Sequence, residues 1–267
     1  MIDIWLRSLL PIIALAGVAW AVCTARRNAG LVDIFWPGLF LAAAGYDASR
    51  FQQWSLENRV VVALLVFWAV RLAVHLARRN WRAPEDRRYA DMRARHEPGF
   101  AWKSLYLVFG LQALLAWIAS APLAAALAGH AAARPLWWFG LLLAAAGIAI
   151  EAIADRQLRA HRQRDAQARA VLDSGLWRYS RHPNYFGECC VWWGFFATVA
   201  TPGSLWTVVS PLLMTWLLLR VSGVTLLEKD IADRRPAYRD YVARTSAFLP
   251  WKPARPAELA RRDGAGP

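Results

Sequence analysis

Long apolar stretches separated by polar, mostly basic segments set the pattern of this 267-residue chain. Apolar runs at 4–25, 30–48, 59–77, 104–129, 134–155, 186–201 and 203–227 dominate it. An α-helix needs about 20 mainly apolar residues to cross a bilayer, and most of these runs approach or exceed that length. The fourth run carries few polar side chains, chiefly Gln112 and Ser120, and lacks the polar face of a soluble amphipathic helix. The first run is longer than a cleavable leader and meets no small-residue cleavage site before Arg26 and Arg27, so it reads as a retained span. The pattern predicts an all-α, polytopic membrane protein with seven transmembrane helices. A single membrane domain is expected over 1–255, with a flexible tail over 256–267.

Composition agrees and adds direction. Hydrophobic residues make up 57% of the chain, yet its formal charge is +13. With seven spans, the segments 26–29, 78–103, 156–182 and 228–267 lie on one side and hold 26 of the 32 Lys and Arg residues. The other side holds Arg7, Arg50, Arg59 and Arg134. Basic loops stay in the cytoplasm, so the N-terminus is expected outside and the C-terminus inside. Trp5, Trp54, Trp81, Trp102, Trp137, Trp138, Trp206 and Trp251 fall near run ends, where an aromatic belt sits. Arg outnumbers Lys 29 to 3, and the expected location is a bacterial inner membrane.

Several chemistries are missing. Cys23, Cys189 and Cys190 have no metal-type spacing, and the His residues form no paired signature. Neither a dinucleotide glycine fingerprint after a strand nor a phosphate-loop lysine motif is present. The basic residues follow membrane side rather than any nucleic-acid motif, so no nucleic-acid partner is expected.

Charged residues inside apolar runs are expensive, at about 2.5–3.5 kcal/mol each on insertion scales. Asp33, Arg71, Glu188 and Arg220 stand out, and Glu151 and Asp155 share one helix face at i, i+4. Asp33 reads as the acid of the second span, and an ion pair with Arg71 or a helix cap would satisfy it without any ligand. Beyond the fifth run, Arg156, Arg159, Arg162, Arg164 and Arg169 extend the helix, and Asp173-Ser-Gly175 breaks it. Guanidinium groups grip phosphate bidentately; a juxtamembrane Arg cluster also attracts anionic lipid. Lipid attraction leaves Asn184 and Glu188, one turn apart at the start of an apolar helix, without a purpose. An anionic cofactor would use both.

The residues carrying the most specific signal are Glu151-Ala-Ile-Ala-Asp155 and Gly175-Leu-Trp-Arg-Tyr-Ser-Arg-His-Pro-Asn-Tyr-Phe-Gly-Glu188. They continue in Leu219-Arg220, Leu227-Glu228 through Tyr238 and Tyr241, Thr245-Ser246 and Pro250-Trp251, and are joined by Asp33-Ile-Phe-Trp36-Pro37 and Glu85-Asp86-Arg-Arg-Tyr89. This pattern resembles the steroid 5-alpha-reductase superfamily in its bacterial DUF1295 branch. The resemblance covers most of the chain. It implies an NADPH-dependent reductase, like a 3-oxo-5-alpha-steroid 4-dehydrogenase, that passes hydride to an activated carbon–carbon double bond of a lipid or steroid-like substrate. By residue match it implies cofactor contacts at Arg82, Asp155, Arg162, Arg181, His182, Asn184, Glu188 and Arg220, mostly within a cofactor-binding half at 134–255. For that implied chemistry Asp33 and Arg71 are the candidates for catalysis, Asp33 kept protonated by burial to polarise a carbonyl and Arg71 orienting it; no metal is expected, and a monomer suffices.

The chain departs from the steroid enzymes, which use a Gln–Glu pair in the second span and a Tyr in the third. Trp68 stands near that Tyr position, and Gln53 and Glu57 come after the second span. Arg181-His182-Pro183 with Tyr185, followed by Glu228, Tyr238 and Tyr241, also resembles membrane methyltransferases of the isoprenylcysteine and phospholipid type. That resemblance implies S-adenosylmethionine as the alternative cofactor. Asp33–Trp36 and Glu85–Tyr89 favour the reductase.

Overall fold

Backbone surrounded by hydrocarbon must satisfy its own hydrogen bonds, and a helix does so within one segment. The computed structural model describes residues 1–50, 54–165, 170–221 and 238–254, and every regular element among them is helical. Arg169, Gln53, Glu228, residues 222–227 of the seventh run and the tail lie outside the described residues.

Helices α1 (Ile2–Arg7) and α2 (Leu9–Ala25) form the first apolar column. A short turn at Ala29–Leu31 leads into α3 (Val32–Ala48), and α4 (Leu56–Asn80) follows. The start of α4 is set by Ser55, whose Oγ accepts the Asn58 N–H at 3.2 Å, satisfying one of the free donors of the first turn. Arg78 and Arg79 close it, where cations complement the helix dipole. After α5 (Arg87–His96) come α6 (Phe100–Ser104), a π-helical turn (Leu105–Gly110) and α7 (Leu111–Ala119). Next are α8 (Ala121–Leu127), the long α9 (Arg134–Arg164), α10 (Pro183–Val199), α11 (Val209–Trp216) and α12 (Tyr238–Arg244).

Five helical stretches are long and apolar enough to cross a membrane: Ile2–Ala25, Ala29–Ala48, Leu56–Asn80, Phe100–Ala119 and Arg134–Arg164. These make the chain an integral membrane protein. The sixth run folds as α10, 17 residues long. The described part of the seventh is the shorter apolar stretch Leu205–Val221, which ends in a π-helical turn, Leu217–Val221. The fourth run differs from its expected single span. Its helix begins at Phe100 and ends at Ala119, and α8 starts afresh with Pro122 in its first turn, where a missing N–H costs nothing.

The contacts divide the chain into two compact units, one from Met1–Leu141 with Phe195–Ser210, the other from Leu142–Gly194 and the described residues from Pro211 onward. In the first unit α3 packs against both α2 and α4. Half of its apolar window is buried, against 28% for Ile2–Ala25 and for Leu56–Asn80. Phe40 of α3 meets Trp68 of α4 edge-on at 5.6 Å. The outward faces are apolar too: Leu10, Ile13 and Val18 on α2, and Phe67, Val70 and Val74 on α4, are exposed. Such faces suit lipid, since a soluble monomer rarely exposes large contiguous apolar patches.

In the second unit two glycines decide the packing. A Cβ on Gly147 would lie 2.5 Å from the Gly187 carbonyl oxygen, and one on Gly187 would lie 2.6 Å from that of Gly147. Helices α9 and α10 therefore cross backbone to backbone, as small residues allow in membranes.

Candidate functional site

The glycine crossing builds the first polar cluster. Glu151 and Asp155 lie one and two turns beyond Gly147, on the face of α9 turned to α10. Opposite them, Asn184 and Glu188 flank Gly187. The Asn184 Nδ2 donates to Asp155 Oδ1 at 3.3 Å. Glu151, Asp155 and Glu188 are 2%, 6% and 8% exposed, so three acids and an amide sit within an otherwise apolar pair of helices. The structure thus brings Asp155 and Asn184 together, with Glu188 on the same turn of α10.

The loop before α10 is tied down from both sides. Trp177 Nε1 donates to the Ala154 carbonyl at 3.1 Å, and Leu176 N–H donates to Gln157 Oε1 at 3.0 Å. Gly175 has φ 62°, a left-handed conformation that glycine adopts without a Cβ clash. From the other side, the Tyr241 hydroxyl donates to the Trp177 carbonyl, and burial followed by the nearby Tyr238 pushes the Tyr241 phenol up from its ordinary pKa. Ser180 Oγ donates to the Phe248 carbonyl at 2.8 Å.

Arg181 belongs to this strapping. Its Nη1 donates to the carbonyls of Val242 at 2.8 Å and Thr245 at 2.6 Å, closing the end of α12, so that nitrogen serves the fold rather than a phosphate. His182 is buried and stacks on Tyr185 at 5.6 Å between ring centroids. Arg162, on the extension of α9, and Arg220, in the π-helical turn after α11, are both exposed.

A second polar cluster occupies the first unit, together with Asp33, Arg71 and Arg82. Asp33 Oδ1 accepts the Tyr89 hydroxyl at 3.0 Å, and the Tyr89 oxygen accepts from Gln112 Nε2 at 3.3 Å. Arg88 Nη2 lies 3.6 Å from Asp33 Oδ2. The carboxylate expected to depend on Arg71 is thus held by Tyr89 and Arg88, because the 85–96 segment folds back over the start of α3. Arg71 is half-buried on α4, and Arg82 is exposed.

That fold-back has its own clamp. Glu85 Oε1 accepts the Ala29 N–H at 2.7 Å, and both carboxylate oxygens are bonded by Arg93, at 2.9 and 2.8 Å. Burial works to raise the Glu85 pKa, but the bonds from Arg93 and Ala29 outweigh it and hold the group below its ordinary value. The Tyr89 phenol is held well above its usual pKa, first by burial and then by the charge of Asp33. It is a protonated O–H donor at neutral pH.

Sequence reading missed three members of this region. Gln112 was visible as a polar residue in an apolar run, and Tyr89 and Arg88 lay in a quoted motif, but no spacing rule joins positions 33, 89 and 112. Asp33 is also not the sole acid of its span: Asp47, at the other end of α3, is 0% exposed. Its place in the last turn, close to a polar loop, hid it.

No solved structure matches the chain. The Uncharacterized protein C594.04c of Schizosaccharomyces pombe is 27% identical over 270 positions, covering 88% of this chain and 76% of that protein. The family described as "Protein of unknown function (DUF1295)" matches residues 19–245, a range that contains both polar clusters, and the chain belongs to that family.

Proposed function

We propose that the protein is an NADPH-dependent membrane reductase that delivers hydride to an activated carbon–carbon double bond of a lipid or steroid-like substrate. The observation that carries this reading is the buried Asp155–Asn184 pair beside Glu188. Three acids and an amide inside apolar helices are costly, and their acceptors suit the hydroxyl and amide groups of a nucleotide cofactor. Arg162 and Arg220, exposed and with fork-shaped guanidinium ends, suit its phosphates. The donor set therefore fits such a group, which would supply the hydride.

Asp155, Asn184 and Glu188 would hold the sugar and amide ends and keep water from them. Arg162 and Arg220 would grip phosphate, while His182 keeps the start of α10 in place. Tyr89 would act as the proton donor to a carbonyl oxygen by turning its one hydrogen from Asp33 Oδ1, its resting acceptor, to the substrate, while Gln112 Nε2 holds the phenol oxygen. Arg71 is the remaining candidate for orienting that carbonyl.

Seven spans, with the N-terminus outside and the C-terminus cytoplasmic, are part of the proposal. Its support is the one-sided distribution of basic residues, which makes the nucleotide cluster face the cytoplasm. An S-adenosylmethionine-dependent methyltransferase is the competing reading. Commitment of Arg181 Nη1 to two backbone carbonyls takes a donor from either cofactor alike, and the support for the reductase over the methyltransferase is the Asp33–Trp36 and Glu85–Tyr89 pattern.

Thermal unfolding of purified protein in detergent separates the two. Stabilisation by NADPH and not by S-adenosylmethionine is expected; the reverse sinks the reductase. NADH should stabilise less than NADPH if the arginines grip the extra phosphate.

A further inference from the structure

The turn after α2 is built on an unusual residue. The Arg27 N–H bonds the Thr24 carbonyl at 3.0 Å, and the Asn28 N–H bonds that of Cys23 at 3.0 Å. This pair of bonds closes a helix whose next residue takes the left-handed conformation, a position that glycine normally fills. Here Arg27 fills it, with φ 49°. Local backbone energy disfavours a Cβ at that place, so the side chain calls for another explanation.

Arg27 lines a cavity of about 380 Å³ in the first unit, with Phe100 and Phe109 among its apolar walls and Glu97 at another edge. Arg93 also lines it, but its charge is neutralised by the two bonds to Glu85. Among the described residues, the charged ends of Arg27 and Glu97 form no hydrogen bond or ion pair. The cavity therefore presents the Arg27 cation at one edge and, at another, the Glu97 carboxylate, which also attracts Arg93.

Depth in the membrane points the same way. The cavity lies where the Ile2–Ala25 span ends and the Phe100–Ala119 span begins. Trp20 Nε1 donates to the Ala101 carbonyl at 2.7 Å, and the Trp20 and Trp102 rings meet at 5.1 Å. Trp at this position marks the headgroup layer.

We infer that this cavity binds the zwitterionic headgroup of a membrane lipid, its phosphate at Arg27 and its amine at Glu97. An anionic amphiphile would meet Arg27 but face Glu97, and a cationic one would meet the reverse conflict. The volume lies at the lower end of ligand sites, enough for a headgroup and the start of its chains. The site shares no residue with the nucleotide cluster.

The test is native mass spectrometry of the full chain released from bilayers of phosphatidylethanolamine, phosphatidylglycerol and a cationic diacyl lipid in equal parts. Wild type should retain phosphatidylethanolamine preferentially. Arg27→Gly should lower that retention at least tenfold while its thermal midpoint stays the same or rises, since glycine suits the turn. Glu97→Gln should shift the preference to phosphatidylglycerol. Equal retention of the three lipids by wild type, or an unchanged preference in both variants, would overturn the assignment. So would displacement of the lipid by soluble O-phosphoethanolamine, which would identify the free headgroup as the ligand.

Discussion

The two polar clusters are assembled in opposite ways. The Asp155–Asn184 cluster arises from one helix crossing, set by two glycines and a motif contiguous from 175 to 188. The Asp33 cluster gathers residues from a span start, a surface segment and the middle of another span, and its members meet through side chains alone. Clusters built on backbone packing should fail as folds when disturbed, whereas one built on side-chain bonds should fail mainly in chemistry.

The largest expected effect probes the crossing itself. Gly187→Leu places atoms where the Gly147 carbonyl and the Glu151 N–H already stand, at 2.6 and 2.7 Å from the new Cβ. A cost at or above about 3 kcal/mol is expected, read as lost thermal stability or lost expression. Gly17→Leu is the control, since nothing lies within 4 Å of its Cβ, and it should be nearly neutral.

Next comes the chemistry of the other cluster. Tyr89→Phe should lower turnover of an enone lipid about 100-fold, within the range for removing a general acid, with little change in KM or thermal midpoint. An unchanged rate would reduce Tyr89 to a structural strut. Smaller again is Asn184→Ala, expected to weaken NADPH binding about tenfold, close to 1.4 kcal/mol, as measured by calorimetric titration.

The smallest effect is a pH dependence. The folded-state pKa of Glu85 is depressed, so its contribution is present above the unfolded value of about 4.3 and is lost as pH falls through the lower folded value. Glu85→Gln should remove about 0.5–1 kcal/mol at neutral pH, the scale of a partly exposed ion pair, and flatten acid unfolding below about pH 4.3. Equal acid sensitivity in both proteins would show that the clamp adds nothing.

The contrast also explains what could be read ahead of the structure. Helical spans were legible because apolar side chains in lipid leave the backbone few alternatives, and Glu151 and Asp155 were legible as one helix face. The break after Ala119 was harder, because Ala-rich sequence on both sides of Ser120 offers no change in hydrophobicity, although Pro122 marks the new first turn. Asp33 was singled out for its charge, but its partners were not, since a hydroxyl 56 residues away in sequence leaves no periodic trace. Arg181 shows the converse: the resemblance implied a cofactor contact, and geometry gave part of it to backbone carbonyls that close a distant helix.

Everything functional rests on what the Asp155–Asn184–Glu188 cluster binds. Calorimetric titration of the full-length protein with NADPH and with S-adenosylmethionine, alongside an Asp155→Asn, Asn184→Ala double variant, tests this most directly. The account predicts that wild type binds NADPH, that the double variant binds it at least tenfold more weakly, and that S-adenosylmethionine gives no heat. Equal NADPH affinity in both proteins, or binding of S-adenosylmethionine alone, would contradict it.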